Sequence, residues 1–126
     1  MPDYKELDPL AQAEIEREIV ERSRTLTDIT EDVAHSASEQ ARTEVAFKLA
    51  NARKLIELRN ESATVAIKDA IALDACAAEF EAMKMAEAVF RACQESGRNV
   101  RSQLDALRTL SANVRSVVST SRGEGW

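Results

Sequence analysis

Arg101, Arg108 and Arg115 stand seven residues apart, and Arg122 continues the row. Leu104, Leu107 and Val114 run beside them on a coiled-coil spacing. A second basic group, Lys48, Arg53, Lys54 and Arg59, lies within the stretch VAFKLANARKLIELRN. Guanidinium and ammonium groups in such rows suit two kinds of contact. They pair with glutamates of a neighbouring helix and so select partner and orientation. They also neutralise a nucleic-acid backbone by displacing its counterions. Both readings stay open for the Arg101 row. The residues alone favour interhelical pairing, with glutamates supplied by the acidic first 40 residues.

Little else has the makings of a reactive centre. His35 is the only histidine, in an Ala/Ser/Glu context without a Cys or second His nearby. Cys76 and Cys93 are 17 apart, which matches neither a disulfide framework nor a metal-ligand spacing. Both read as small hydrophobes within an Ala-rich helix. No phosphate-binding glycine loop and no Ser/His/Asp set is present. Glu79, Glu81 and Glu87 read as a solvated helix face. The chain is therefore expected to act without catalysis, cofactor or metal.

The elements that must position the basic rows are helices. In 126 residues there are 3 Gly and 2 Pro, and the apolar 44% is mostly Ala, Leu, Val and Ile, with aromatics at 4%. Such material builds long helices rather than turns and strands. The net charge of −5 averages alternating blocks. Residues 1–40 carry −7, 41–60 carry +3, 61–95 carry −4 and 96–126 carry +3. No run of about 18 apolar residues occurs, so no membrane span is expected. The start MPDYKELD has no basic segment leading into an apolar core, and with two unpaired cysteines a cytoplasmic setting is expected.

Asp8-Pro9 reads as an N-cap and first helical position. A short peripheral helix is expected from there to about Arg24, with a break at Thr25–Thr27. Residues 1–27 would form this acidic helix and linker. A second helix, starting near Asp28 or Thr30, has an apolar row at Ala34, Ala37, Ala41, Val45, Leu49, Ala52 and Ile56. Phe47 and Leu58 lie on a different face, with Leu55 between the two. A helix with two apolar faces touches two neighbours, and in a chain this small one is expected to be another subunit.

NESAT interrupts the pattern, and Ser62 and Thr64 both suit an N-cap. Beyond it, Met83, Ala86, Phe90, Cys93, Gly97, Val100, Leu104, Leu107, Ser111, Val114 and Val118 alternate 3 and 4 apart without a slip. One helix from Thr64 to Val118, about 80 Å long, is expected to run through Gly97. The expected fold is an all-α, elongated helical hairpin spanning 28–118. It has a long coiled-coil-like C-terminal helix and a disordered tail at 119–126. Phe47, Leu58, Phe90, Leu104, Leu107 and Val114 are the candidate seam for a homo-oligomer.

The helix VAFKLANARKLIELRN, the break ESATV and the closing LDALRTLSANVR together resemble UvsY-like recombination mediators, small phage-encoded helical proteins, over residues 41–118. The resemblance implies an oligomer that binds single-stranded DNA and helps a recombinase displace a single-strand-binding protein. It implies DNA contacts at Lys48, Arg53, Lys54 and Arg59. The rival expectation is a coiled-coil structural or assembly adaptor that uses the same seam without nucleic acid.

Overall fold

A computed structural model describes residues 9–123. Asp8, Trp126 and the side chains of Leu10, Val118 and Arg122 lie outside what it describes. The fold is all-α: α1 spans Pro9–Glu57, α2 Val65–Ala75 and α3 Ala77–Gly123, and no strand occurs among the described residues. The chain divides into two compact units. One joins residues 9–30 to 95–123, and the other is the continuous stretch 31–94.

The expected break at Thr25–Thr27 is absent, so the short N-terminal helix is the first part of α1. The hydroxyls of Thr25, Thr27 and Thr30 donate to the carbonyls of Glu21, Ser23 and Leu26 at 3.1, 3.1 and 2.8 Å. A threonine satisfied by its own preceding turn has no need to leave the helix. Ile15, Ile19, Leu26 and Ile29 are half-buried at one phase, which also holds the segment helical.

In the first unit, residues 9–30 of α1 lie antiparallel to 95–123 of α3. Arg115 of α3 reaches Glu16 at one end, and Gly97 meets Ile29 at the other. Leu104 and Val114 are the most deeply enclosed large side chains, at 2% and 1% exposure. Gly97 is buried and helical, and a methyl group there would stand 3.4 Å from Ile29 Cγ2. The glycine thus marks a place where α1 and α3 come close, and α3 continues as helix through it. Ser111 is also buried, and its hydroxyl has no hydrogen-bond partner among the described residues.

In the second unit, the latter part of α1 turns back through residues 58–64 into α2 and α3. Leu58 N–H still donates to Lys54 O at 3.1 Å, then Arg59 to Ile56 and Glu61 to Leu58 tighten the turn. Thr64 is the N-cap of α2: its Oγ1 accepts from the Ile67 N–H at 3.3 Å. The expected single helix from Thr64 is interrupted at Cys76, where φ −107° and ψ 22° leave the helical region. The hydrogen-bond ladder bridges this residue, since Cys76 N–H donates to Ala72 O and Phe80 N–H to Cys76 O. No glycine or proline in LDACAAEF announces the interruption. At the other end α3 extends to Gly123, so residues 119–123 are helical where a disordered tail was expected; 124–126 lie outside the described residues.

Every described position of the α3 seam, from Met83 to Val114, is buried or half-buried. The inward face of α1 differs from expectation. It is the Phe47 and Leu58 face, with Val33, Ser36, Gln40, Thr43 and Lys54. The row Ala41, Val45, Leu49, Ala52 and Ile56 is exposed. Two buried hydroxyls on the inward face are satisfied locally, Ser36 by Val33 O and Thr43 by the carbonyls of Glu39 and Gln40, all at 3.0 Å.

Leu104 and Ser111 occupy the same heptad position and yield opposite expectations. Leu104→Ala should destabilise by about 2–5 kcal/mol through cavity formation. Ser111→Ala removes an unpartnered buried hydroxyl and should be neutral or stabilising by up to about 1 kcal/mol. Urea unfolding followed by circular dichroism measures both; a large loss for Ser111→Ala would mean that its hydroxyl has a partner.

Candidate functional site

The second unit is unusual in what it encloses and what it leaves outside. Its buried side chains are Ser36, Thr43, Ala72, Cys76, Met83 and Ala86. Its exposed ones include Val45, Leu49 and Ile56 on α1, Val65, Ile67, Ile71 and Leu73 on α2, and Met85 and Val89 on α3. Apart from Ala72, α2 has no buried residue. The internal contact is anchored by Phe47 and Phe80, edge-to-face with centroids 5.3 Å apart. Lys84 Nζ stands 5.5 Å from the Phe80 ring.

A groove of about 240 Å³ opens on one side of this helix pair. Ser36, Thr43 and Ala86 form its buried floor. Glu39 and Arg42 stand on the α1 side, and Ala82, Met85 and Val89 on the α3 side. The guanidinium of Arg42 grips Glu39 through two hydrogen bonds, Nε to Oε2 at 3.0 Å and Nη2 to Oε1. That donor pair holds the Glu39 carboxyl below the usual glutamate range and raises the Arg42 guanidinium. The small floor leaves a shallow recess between the two helices, and the paired rim gives that side little net charge.

The candidate basic residues divide between the units. Lys48, Arg53, Lys54 and Arg59 belong to the second. Lys48 pairs with Glu44 at 2.9 Å and Lys54 with Glu57 at 3.2 Å. Arg53 and Arg59 are exposed and have no ion pair with any described residue, although the Arg59 carbonyl accepts from Lys68 Nζ at 3.4 Å. The heptad row belongs to the first unit. Arg115 donates to Glu16 at 2.9 Å, which is the interhelical pairing with the acidic N-terminal region anticipated from the sequence. Arg108 stands 3.9 Å from Asp105 of its own helix, and Arg101 has no ion pair with a described residue.

The candidate seam residues are also placed unequally. Leu104 and Val114 belong to the core of the chain itself, so a second copy cannot reach them without opening that core. Phe47, Leu58, Phe90 and Leu107 are half-buried on the intrachain seam. The large aliphatic side chains left exposed on α1 and α3 of the second unit are instead Val45, Leu49, Ile56, Met85 and Val89. The apolar row of α1 was legible in the sequence; that it faces outward was not. Met85 and Val89 had no signal beyond falling outside the heptad seam.

Among the described residues, no group of three or more His, Cys, Asp or Glu side chains is placed to hold a metal ion. Cys76 is buried, Cys93 half-buried, and both thiols are free. Among the described residues, no helix is long and apolar enough to cross a membrane. No family model, curated protein or solved structure matches the chain.

The Glu39 carboxyl should titrate by NMR below the ordinary glutamate range, and return toward it in Arg42→Ala. Because the folded-state value is depressed, the pair's contribution to stability is present above the unfolded-state value and lost as pH falls through the folded one. Glu39→Gln should flatten that part of the acid limb. A Glu39 midpoint at or above the ordinary range would contradict the bidentate contact.

Proposed function

We propose that this chain is a non-catalytic helical interaction module, a coiled-coil-like adaptor that associates with other helices, including those of a second copy of itself. The observation that supports this is the outward placement of aliphatic side chains in residues 31–94. Fully burying one Val, Leu, Ile or Met is worth about 1.5–3 kcal/mol relative to exposure. Val45, Leu49, Ile56, Met85 and Val89 are 50–62% exposed and forgo about half of that, while Ser36 and Thr43 are buried. Exposed apolar surface grouped on one unit marks an association surface more often than a solvated one. Between α1 and α3, the groove has the small-residue floor and aliphatic wall that receive a helix. Its Glu39–Arg42 rim opposes no like charge to a second copy.

A recombination mediator that binds single-stranded DNA is the second reading. In its favour, Arg53, Arg59 and Arg101 are exposed and have no ion pair with any described residue. Against it, Lys48, Lys54, Arg108 and Arg115 each face a carboxylate within 4 Å.

Two measurements separate these readings. In sedimentation velocity at micromolar concentration, the protein should run as a dimer or larger, and Met85→Glu/Val89→Glu should run as a monomer with unchanged helical circular dichroism. A monomeric parent protein would remove self-association. In fluorescence anisotropy with a labelled single-stranded oligonucleotide, the mediator reading requires binding that weakens steeply with salt. Arg53→Ala/Arg59→Ala should then flatten the slope of log K against log salt by roughly 1.4, for two lost phosphate contacts. Absence of binding at low salt would sink that reading.

A further inference from the structure

The outward face of α1 has a chemistry that the adaptor reading does not by itself explain. Its apolar row, Ala41, Val45, Leu49, Ala52 and Ile56, is exposed throughout. Lys48 lies along one margin of the row, and Arg42 and Arg53 lie along the other. Arg59 follows in the turn beyond the helix. The nearby carboxylates Glu39, Glu44 and Glu57 sit further round the helix, toward the inward face. The row is therefore bordered by cations on both sides. Two of them, Arg42 and Lys48, are held by Glu39 and Glu44 through one-turn pairs at the surface. Exposed pairs of this kind contribute little to stability and exchange readily for a better partner. Arg53 has no ion pair with any described residue to give up.

We propose that this face docks an amphipathic α-helix of a partner protein whose apolar row is flanked by acidic residues. The inference rests on the interaction-module reading and names the chemistry of the partner. Spacings of 4, 4, 3 and 4 along the row are those of one helix stripe meeting another. Ala41 and Ala52 let a backbone approach between the larger Val45, Leu49 and Ile56, and cations on both margins meet glutamates or aspartates at the flanks of the incoming helix. A second copy docking the same face would set cation against cation. A lipid surface fits poorly, since interfacial helices immerse Trp, Phe and Leu, and this face has no aromatic residue and a single leucine. Single-stranded nucleic acid fits poorly too: there is no ring to stack a base on, and a phosphate backbone would leave the aliphatic row in water.

The test uses the full chain and a labelled four-heptad peptide with Leu at a and d and Glu at e and g, beside a control with Lys at e and g. Anisotropy should show binding of the Glu peptide and none of the Lys peptide. Arg53→Glu/Arg59→Glu should invert that preference, and Val45→Ser/Leu49→Ser should weaken Glu-peptide binding by roughly tenfold or more. All these positions are exposed, so helical circular dichroism should be unchanged. Equal binding of both peptides, or an unmoved preference in the charge-reversed variant, overturns the proposal. So does failure of the Glu peptide, with binding to phosphatidylserine vesicles or to an oligothymidylate then assigning the face to lipid or to nucleic acid. Met85→Glu/Val89→Glu tests the module reading separately: self-association lost with peptide binding intact supports both, and peptide binding by a monomeric parent protein supports this face alone.

Discussion

Within each of its two units the structure depends on a thin, regular seam in which a row of α1 meets a row of α3, with residues at intervals of 3 and 4. On α3 the row includes Met83, Ala86, Phe90, Gly97, Val100, Leu104, Ser111 and Val114. On α1 it includes Ile29, Val33, Ser36, Thr43 and Phe47. Several of these positions are glycine, alanine, serine or threonine, so the helices approach closely and gain little apolar burial per residue. Close approach constrains register: Gly97 lies opposite Ile29 and tolerates little more than a methyl group. The buried hydroxyls of Ser36 and Thr43 do not disrupt the seam because each bonds a carbonyl of its own helix.

A seam of this kind leaves much aliphatic surface without a partner. In the unit formed by residues 95–123 with 9–30, Leu104 and Val114 are fully enclosed. In residues 31–94, by contrast, the enclosed positions are mostly small and the larger aliphatics lie outside. The electrostatics follow the same logic. Most ion pairs join residues one helical turn apart, as in Arg42–Glu39, Lys48–Glu44, Lys54–Glu57 and Lys84–Glu87. Such pairs decorate a helix without fixing it to a neighbour, and they can be exchanged at low cost. Arg115–Glu16 is different, because it joins residues far apart in sequence.

On the reading proposed here, an apolar surface bordered by exchangeable charges serves association with other helices. Selectivity would come from the charges and contact from the aliphatic rows, a division of labour familiar from helix pairing. The groove beside Met85 and Val89 and the outward face of α1 meet at Arg42, which stands on the rim of one and along the margin of the other.

Sequence alone determined the helical class, because a chain poor in Gly, Pro and aromatics and rich in Ala and Glu has little else to form. It also determined the α3 seam, whose apolar residues keep phase from Met83 onward, and it offered Thr64 as the cap that starts α2. The tertiary structure decided which face of α1 turns inward. Counting apolar residues favours the Ala41–Ile56 row, but the inward face is set by Phe47 packing on Phe80 and by the phase of Ile29 and Val33, with hydroxyls tolerated between them. It also decided that Thr25–Thr27 continues the helix, since back-bonding to carbonyls depends on a rotamer that the letters do not specify. The interruption at Cys76 belongs here too, where no residue type marks the change. These are outcomes of competition between faces of one helix for a single neighbour, and a local pattern records the contestants without recording which one packs.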